Sequence, residues 1–235
     1  MVHARTLDSE KTFWEKRAKA TWGSYIREVE TRVIKKTKHL NLEPTMALDI
    51  GCDGGELAEM IMTMGWQIIC TDIRPQAVAR CRRRLPEAVC LLVDVNDTQL
   101  PCSTDSLGLI QCIEVPFAIQ SHWFVTEAGR VLKSNGVIIG VFPNLLSIRG
   151  YYHALMARLK GRTTTYNIRY PEWRTRLRRQ GFKVLYEEGI CWFPFTRHSD
   201  SPLVPAATQL EKHLGLRRCA VISPWVVFLA QKTTI

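Results

Sequence analysis

No stretch of this 235-residue sequence approaches the roughly 18 uninterrupted apolar residues that a membrane-spanning helix needs. The opening residues, MVHARTLDSEKTFWEKR, break every apolar run with charge, so no signal peptide is expected and the chain reads as cytoplasmic. There is no C-x-x-C pair either. Eight cysteines (52, 70, 81, 90, 102, 112, 191 and 219) stand singly, mostly in apolar runs where a reduced thiol acts as a small hydrophobe. Neither a zinc site nor a disulfide framework is expected, and no metal. Internal repeats and low-complexity linkers are missing too, which leaves a single domain over 1–235. Acids are the scarcer charge, 22 against 32 Lys and Arg, for a net charge of +10. That excess permits an anionic partner such as nucleic acid, a phosphorylated metabolite or a peripheral membrane surface, and equally an inert basic face.

What is present is an ordinary globular profile, 46% hydrophobic and 23% charged. Residues 9–38 carry apolar side chains at helical spacing (Phe13, Ala18, Trp22, Ile26, Val33), with Asp8 or Ser9 as a cap. Short apolar strands follow at 47–50, 67–72, 88–94, 107–113 and 137–142. Helical segments separate them at 55–64, from Pro75, and at 118–133. Strands alternating with helices predict an α/β, doubly wound, Rossmann-like and mostly parallel sheet with helices on both faces. Beyond residue 142 the rhythm breaks. Helices are expected at 150–160 and 171–181, then strands from Phe182 and at 225–232, which makes seven strands. The chain therefore divides into an N-terminal helical extension (1–44), a cofactor-binding core (45–143), an insertion or lid with the sixth strand (144–205), and a C-terminal helix and last strand (206–235).

The segment LDIGCDGGELAEM (48–60) has the strand, glycine turn and helix of a nucleotide site, yet the middle glycine of G-x-G-x-x-G is replaced by Asp53. In an open parallel sheet the ligand sits beyond the carboxyl ends of the strands, and here three successive strands end in acids: Asp49, Asp72 and Asp94. Asp72 stands at the offset where an acid meets ribose hydroxyls. A pyrophosphate needs free amides and close glycine backbone, whereas Asp49, Asp53 and Glu56 crowd this turn and would repel it. A nucleoside bearing positive charge, such as S-adenosylmethionine with its ammonium and sulfonium, suits them.

Four segments in order (LDIGCDGGELAEMI, CTDIRPQAVARCRRR, LLVDVNDTQLPCSTDSLGLIQCIEV and EAGRVLKSNGVIIGVFPN) resemble the motifs of class I S-adenosylmethionine-dependent methyltransferases. The resemblance covers about 45–143. It implies an antiparallel last strand and a set of roles for the loop and strand ends. Gly51 and Gly55, with Cys52 and Asp53 between them, would line the methionine portion, and Asp49 would hold its ammonium. Asp72 and Ile73 would meet the ribose, and Asp94 and Val95 the adenine. Gln111, Cys112 and Glu114 would flank the ligand from the fourth strand. His122 and Glu114 are the candidate bases, since deprotonating a hydroxyl acceptor needs a group titrating near neutrality. His153 and His198 lie in variable segments. Trp22, Tyr25, Tyr151, Tyr152 and Arg197, together with Phe13 and Trp14, are candidate acceptor contacts.

Aromatic walls with a few cations suit a small-molecule or lipid-like acceptor, with O-methylation by in-line displacement expected. The alternatives are an RNA (tRNA) methyltransferase, drawn from the arginine runs RCRRRL and RTRLRRQ, and a non-catalytic S-adenosylmethionine-binding protein. EVPF after the fourth strand departs from the N-P-P-Y pattern of base-amino methylation.

Overall fold

The computed structural model describes residues 12–40 and 42–233, without the side chains of Phe13 and Trp14. The expected cap at Asp8 or Ser9 and the Phe13 and Trp14 acceptor contacts lie outside the described residues. The N-terminal helix is two helices rather than one: α1 (Phe13–Ala18) and α2 (Thr21–Lys36), joined at Ala20, whose ψ of 152° is extended. Thr12 and Glu15 close a reciprocal capping box on α1, and α2 buries Trp22, Ile26, Val29 and Val33 on one stripe.

The seven strands are β1 (Met46–Ile50), β2 (Gln67–Asp72), β3 (Val89–Leu92), β4 (Leu107–Cys112), β5 (Leu132–Pro143), β6 (Phe182–Ile190) and β7 (Trp225–Lys232). They form one sheet in the order β3-β2-β1-β4-β5-β7-β6. Pairings from β3 through β5 are parallel, and β7 runs antiparallel to both β5 and β6. The antiparallel last strand and the doubly wound fold are thus as expected. The strand order reverses between β1 and β4, so the crevice above their carboxyl ends is where a ligand belongs.

Alternation along the strands sends neighbours to opposite faces. Ala47, Val137, Ile139 and Val227 pack beneath α2, α3 (Glu56–Met62), α4 (Pro75–Arg84) and α9 (Val204–His213). Leu48, Ile138 and Phe228 face α5 (Pro116–Ile119), α6 (Phe124–Val131) and α8 (Tyr170–Arg179). Trp173 anchors this second face. It is fully buried, its ring lies 4.9 Å from Phe142 and 4.6 Å from Phe228, and its indole N–H donates to the Ile119 carbonyl at 2.9 Å.

The single helix expected over 118–133 is instead α5 and α6, separated by a turn at 120–123. The strand expected to reach Asp94 ends at Leu92, so Asp94 lies in the following loop. Between β5 and α8 the chain forms α7 (Ile148–Leu159), capped by Ser147, whose hydroxyl accepts from the Gly150 N–H at 2.8 Å.

Candidate functional site

A cavity of about 320 Å³ opens over the carboxyl ends of β1, β2 and β4. Its floor is the turn after β1. Gly51 there has φ +75°, and a Cβ added to it would lie 2.4 Å from Val115 Cγ2, so only glycine fits. Asp53 also takes a left-handed conformation, φ 46°, at the position where the dinucleotide motif has glycine. Asp is among the few other residues that tolerate it.

Four amides of the turn are already committed. The Gly51 and Cys52 N–H groups both donate to the Thr71 carbonyl (2.8 and 2.9 Å), Asp53 N–H to Asp72 Oδ2 (3.1 Å), and Gly55 N–H to the Cys52 carbonyl (2.8 Å). A pyrophosphate would find those donors taken.

The walls carry eight carboxylates, including Asp49, Asp53, Asp72, Asp94 and Glu114, against two arginines, Arg27 and Arg74. On a chain of net charge +10 this is an acidic hollow in a basic protein. Asp49 is 3% exposed and accepts from Gln111 Nε2 at 2.9 Å, and burial pushes its pKa up to about 7. Glu114 turns the chain out of β4 at φ 58° and reaches the cavity. Burial raises its pKa to about 7, helped by the neighbouring Glu30 charge and opposed by Arg197, whose Nη2 lies 2.7 Å from Glu114 Oε2.

Asp72 is held by an arginine that sequence reasoning missed. Arg74 Nε donates to Asp72 Oδ1 and Nη2 to Oδ2, both at 3.1 Å, while its own backbone N–H donates to Oδ1 at 2.9 Å. Arg74 Nη2 also reaches Asp53 Oδ1 at 3.0 Å. With the Asp53 N–H this gives Asp72 four donors, the full capacity of a carboxylate. The signal was available in TDIRP: a cation two residues past a strand-end acid folds back on it.

The expected residues sort by position. Asp49, Gly51, Cys52, Asp53, Asp72, Ile73, Asp94, Val95 and Glu114 all line the cavity. Gly55 caps α3 beside it, with φ 80°. Gln111 lies one layer below, holding Asp49, and its Oε1 is buried without a partner. Cys112 does not line the cavity, because alternation sends its side chain into the second core face.

His122 is exposed and outside the cavity, since the turn between α5 and α6 points it outward and brings Trp123 in instead. Trp22 and Tyr25 are not in the cavity either. Both are core residues 5.0 Å apart, and the Tyr25 hydroxyl donates to Glu211. Arg197 is buried between Glu30 (3.4 Å) and Glu114, which ties the segment after β6 to α2 and to the end of β4. Tyr151 and Tyr152 are exposed on α7.

The cysteines that stand apart in sequence meet in space. The thiols of Cys52, Cys70 and Cys81 lie within 4.8 Å of one another, and Cys90 Sγ is 3.5 Å from Cys81 Sγ. All four are buried. They pack as small hydrophobes behind the turn, a convergence that single spacings along β2, α4 and β3 hide.

The donor set fits a cationic nucleoside. It offers acids at the ends of β1 and β2 and a glycine floor that a side chain would fill.

Comparison with known proteins agrees. Residues 48–140 match the model of a family described as a methyltransferase domain. Two Mycobacterium tuberculosis proteins described as probable S-adenosylmethionine-dependent methyltransferases are 30% identical over 104 residues, 43% of this chain. The match spans only 36% of those relatives' own length. Among solved structures, a putative sarcosine dimethylglycine methyltransferase from Galdieria sulphuraria superposes with a TM-score of 0.62 at 18% identity, over 90% of this chain and 86% of its own. The geranyl diphosphate C-methyltransferase of Streptomyces coelicolor A3(2) does so with a TM-score of 0.62 at 12% identity, over 89% and 80%.

Proposed function

We propose that this chain, whose residues 48–140 match a methyltransferase-domain family, is a class I S-adenosylmethionine-dependent enzyme that transfers a methyl group from S-adenosylmethionine to a small-molecule or lipid-like acceptor, at oxygen. The observation that carries this reading is the acid-lined cavity at the switch point of a basic protein. S-adenosylmethionine supplies an electrophilic methyl group when bound. Asp49 takes the ammonium, Asp72 the ribose hydroxyls, and Asp94 with Val95 the adenine edge. Gln111 keeps Asp49 in place from below.

The chain's remaining task is to hold a nucleophile in line and keep water out. Trp123, Phe117 and Val115 furnish the apolar wall for that. Glu114, raised toward neutrality and facing the cavity, accepts the proton from an acceptor hydroxyl, and Arg197 fixes the orientation of its carboxylate. Of the two candidate bases, Glu114 keeps the role and His122, which is exposed outside the cavity, drops out.

The arginine run of α4 supports a small acceptor over RNA. Arg82 is spent on the Cys90 carbonyl, Nη2 at 2.7 Å, and Arg84 on Glu15 and the Gly54 carbonyl, so neither is held out for a phosphate. A labelled-methyl transfer assay against fractionated metabolite, lipid and RNA pools tests the assignment. Label in the metabolite or lipid pool is expected. Label in RNA alone would overturn the acceptor class. No label in any pool, with cofactor binding intact, would leave a non-catalytic binder.

A further inference from the structure

Between Glu127 and Glu172 the sequence contains no acid at all, while it places Arg130, Lys133, Arg149, Arg158, Lys160, Arg162 and Arg169 there. In a chain with 22 acids this is a long one-signed stretch. Its centre is α7. At about 100° per residue, Ile148, Tyr152, Leu155 and Leu159 fall on one stripe, with Tyr151 at its border. A surface helix of a globular protein turns such a stripe to the core. Here it faces outward: Ile148 is 93% exposed, Leu159 70%, Tyr151 68% and Tyr152 58%. Leu146, just before the helix, is exposed as well. The opposite side, with Gly150 buried and Ala154 and Ala157 half-buried, is what holds α7 to the body.

The cations frame this stripe. Arg158 flanks one side. Lys160 and Arg162 follow at the C-terminal end, where the helix dipole also favours positive charge. All three are exposed, and none forms an ion pair among the described residues. Arg149 anchors the helix instead, reaching the carbonyls of Cys191 (3.4 Å), Phe193 (3.4 Å) and Phe195 (3.3 Å). An apolar face bordered by unpaired cations, with no acid for twelve residues before the helix or twelve after it, matches an interfacial amphipathic helix. Aromatic Tyr151 and Tyr152 have the amphipathic rings that settle at headgroup depth. No described helix is long and apolar enough to cross a membrane, so contact through α7 is peripheral.

We propose that α7 docks this protein on an anionic phospholipid surface, with Ile148, Tyr152, Leu155 and Leu159 entering the acyl boundary and Arg158, Lys160 and Arg162 meeting the lipid phosphates. The inference does not rest on methyl transfer, because none of the α7 residues lines the cofactor cavity and vesicle binding is read without cofactor.

The test is flotation of the full chain with vesicles of phosphatidylglycerol in phosphatidylcholine, against phosphatidylcholine alone, at low and high salt. Two variants accompany it, Ile148→Glu/Leu159→Glu and Arg158→Glu/Lys160→Glu, each checked for an unchanged thermal midpoint and for S-adenosylmethionine binding. The wild type should float with anionic vesicles only, and less at high salt. Each charge reversal should weaken binding by about fivefold or more, and the apolar double variant should stay at the bottom of the gradient. Three results would overturn the proposal: a wild type that floats with neither vesicle, equal flotation of the apolar variant, or a concentration-dependent dimer abolished by Ile148→Glu/Leu159→Glu, which would assign the stripe to a second copy of the chain. Loss of cofactor binding with flotation intact would count against the functional reading alone.

Discussion

Arg74→Ala should tighten S-adenosylmethionine binding, an unusual direction for deleting a cation beside an acid proposed to hold the ligand. The four acceptor positions of Asp72 are occupied by the Asp53 N–H, the Arg74 N–H, Arg74 Nε and Arg74 Nη2. The two backbone donors belong to the turn and stay. Ribose hydroxyls can therefore donate to Asp72 only where the guanidinium now sits, so the side chain must withdraw before the ligand seats. That side chain is 47% exposed, which puts the pair among solvent-screened ion pairs worth about 0.2–1 kcal/mol. Removing Arg74 abolishes that cost, so affinity should rise by roughly one and a half to fivefold at moderate salt. High salt should shrink the gap between wild type and variant, since screening loosens the same pair. Asp72→Ala should act oppositely, weakening binding by about 1–3 kcal/mol through unpaired hydroxyls. In the double variant the Arg74 effect should vanish. Isothermal titration of the full chain with S-adenosylmethionine reads all three. Tenfold weaker binding by Arg74→Ala would refute the reasoning, because it would make the guanidinium a ligand contact rather than an occupant of the ribose site.

Other outcomes follow from the same geometry. Burial holds the Asp49 pKa near 7, above its unfolded value of about 3.9. The folded protein therefore keeps an extra proton between about pH 4 and 7, and this contribution to stability is present below that window and lost as pH rises through it. Because the ammonium needs the ionised form, cofactor affinity should climb by up to about tenfold per pH unit from pH 5 toward 7. It should then level, and Asp49→Asn should flatten the profile in a titration series; a flat wild-type profile would contradict the placement of the ammonium. Gly51→Ala places a Cβ 2.4 Å from Val115 Cγ2 at φ +75°, so cofactor binding should be lost and the thermal midpoint lowered. Near-wild-type binding would show that the floor is not the contact surface. Trp173→Ala empties the second core face and should cost about 3–5 kcal/mol in denaturant unfolding, and a loss under 1 kcal/mol would mean that the α8 packing is wrong.

The positions of strands β1 to β5 along the chain and the acids of β1 and β2 were legible because buried parallel strands are short uninterrupted apolar runs. Asp49 and Asp72 could be placed on such runs, and Glu114 followed from the end of β4. What escaped depends on contacts between distant segments. The Arg74 side chain folds back on Asp72 through a turn whose dihedrals are set by Pro75, a contact that the residue types alone do not announce. His122 was a candidate because it follows the fourth strand, and the break at 120–123 leaves it exposed and outside the cavity. Trp22 and Tyr25 are aromatic at helical spacing, which fits a core stripe and a pocket wall equally, and tertiary packing put them in the core. The four-thiol cluster needed the register of β2 against β3, Cys70 beside Cys90, which no single segment reveals.

The central claim is that the acidic turn selects a cationic nucleoside over a diphosphate. Titrating the full chain separately with S-adenosylmethionine and with NAD tests it most directly. Saturable binding of S-adenosylmethionine with no heat from NAD is the predicted result, and binding of NAD without S-adenosylmethionine would contradict it.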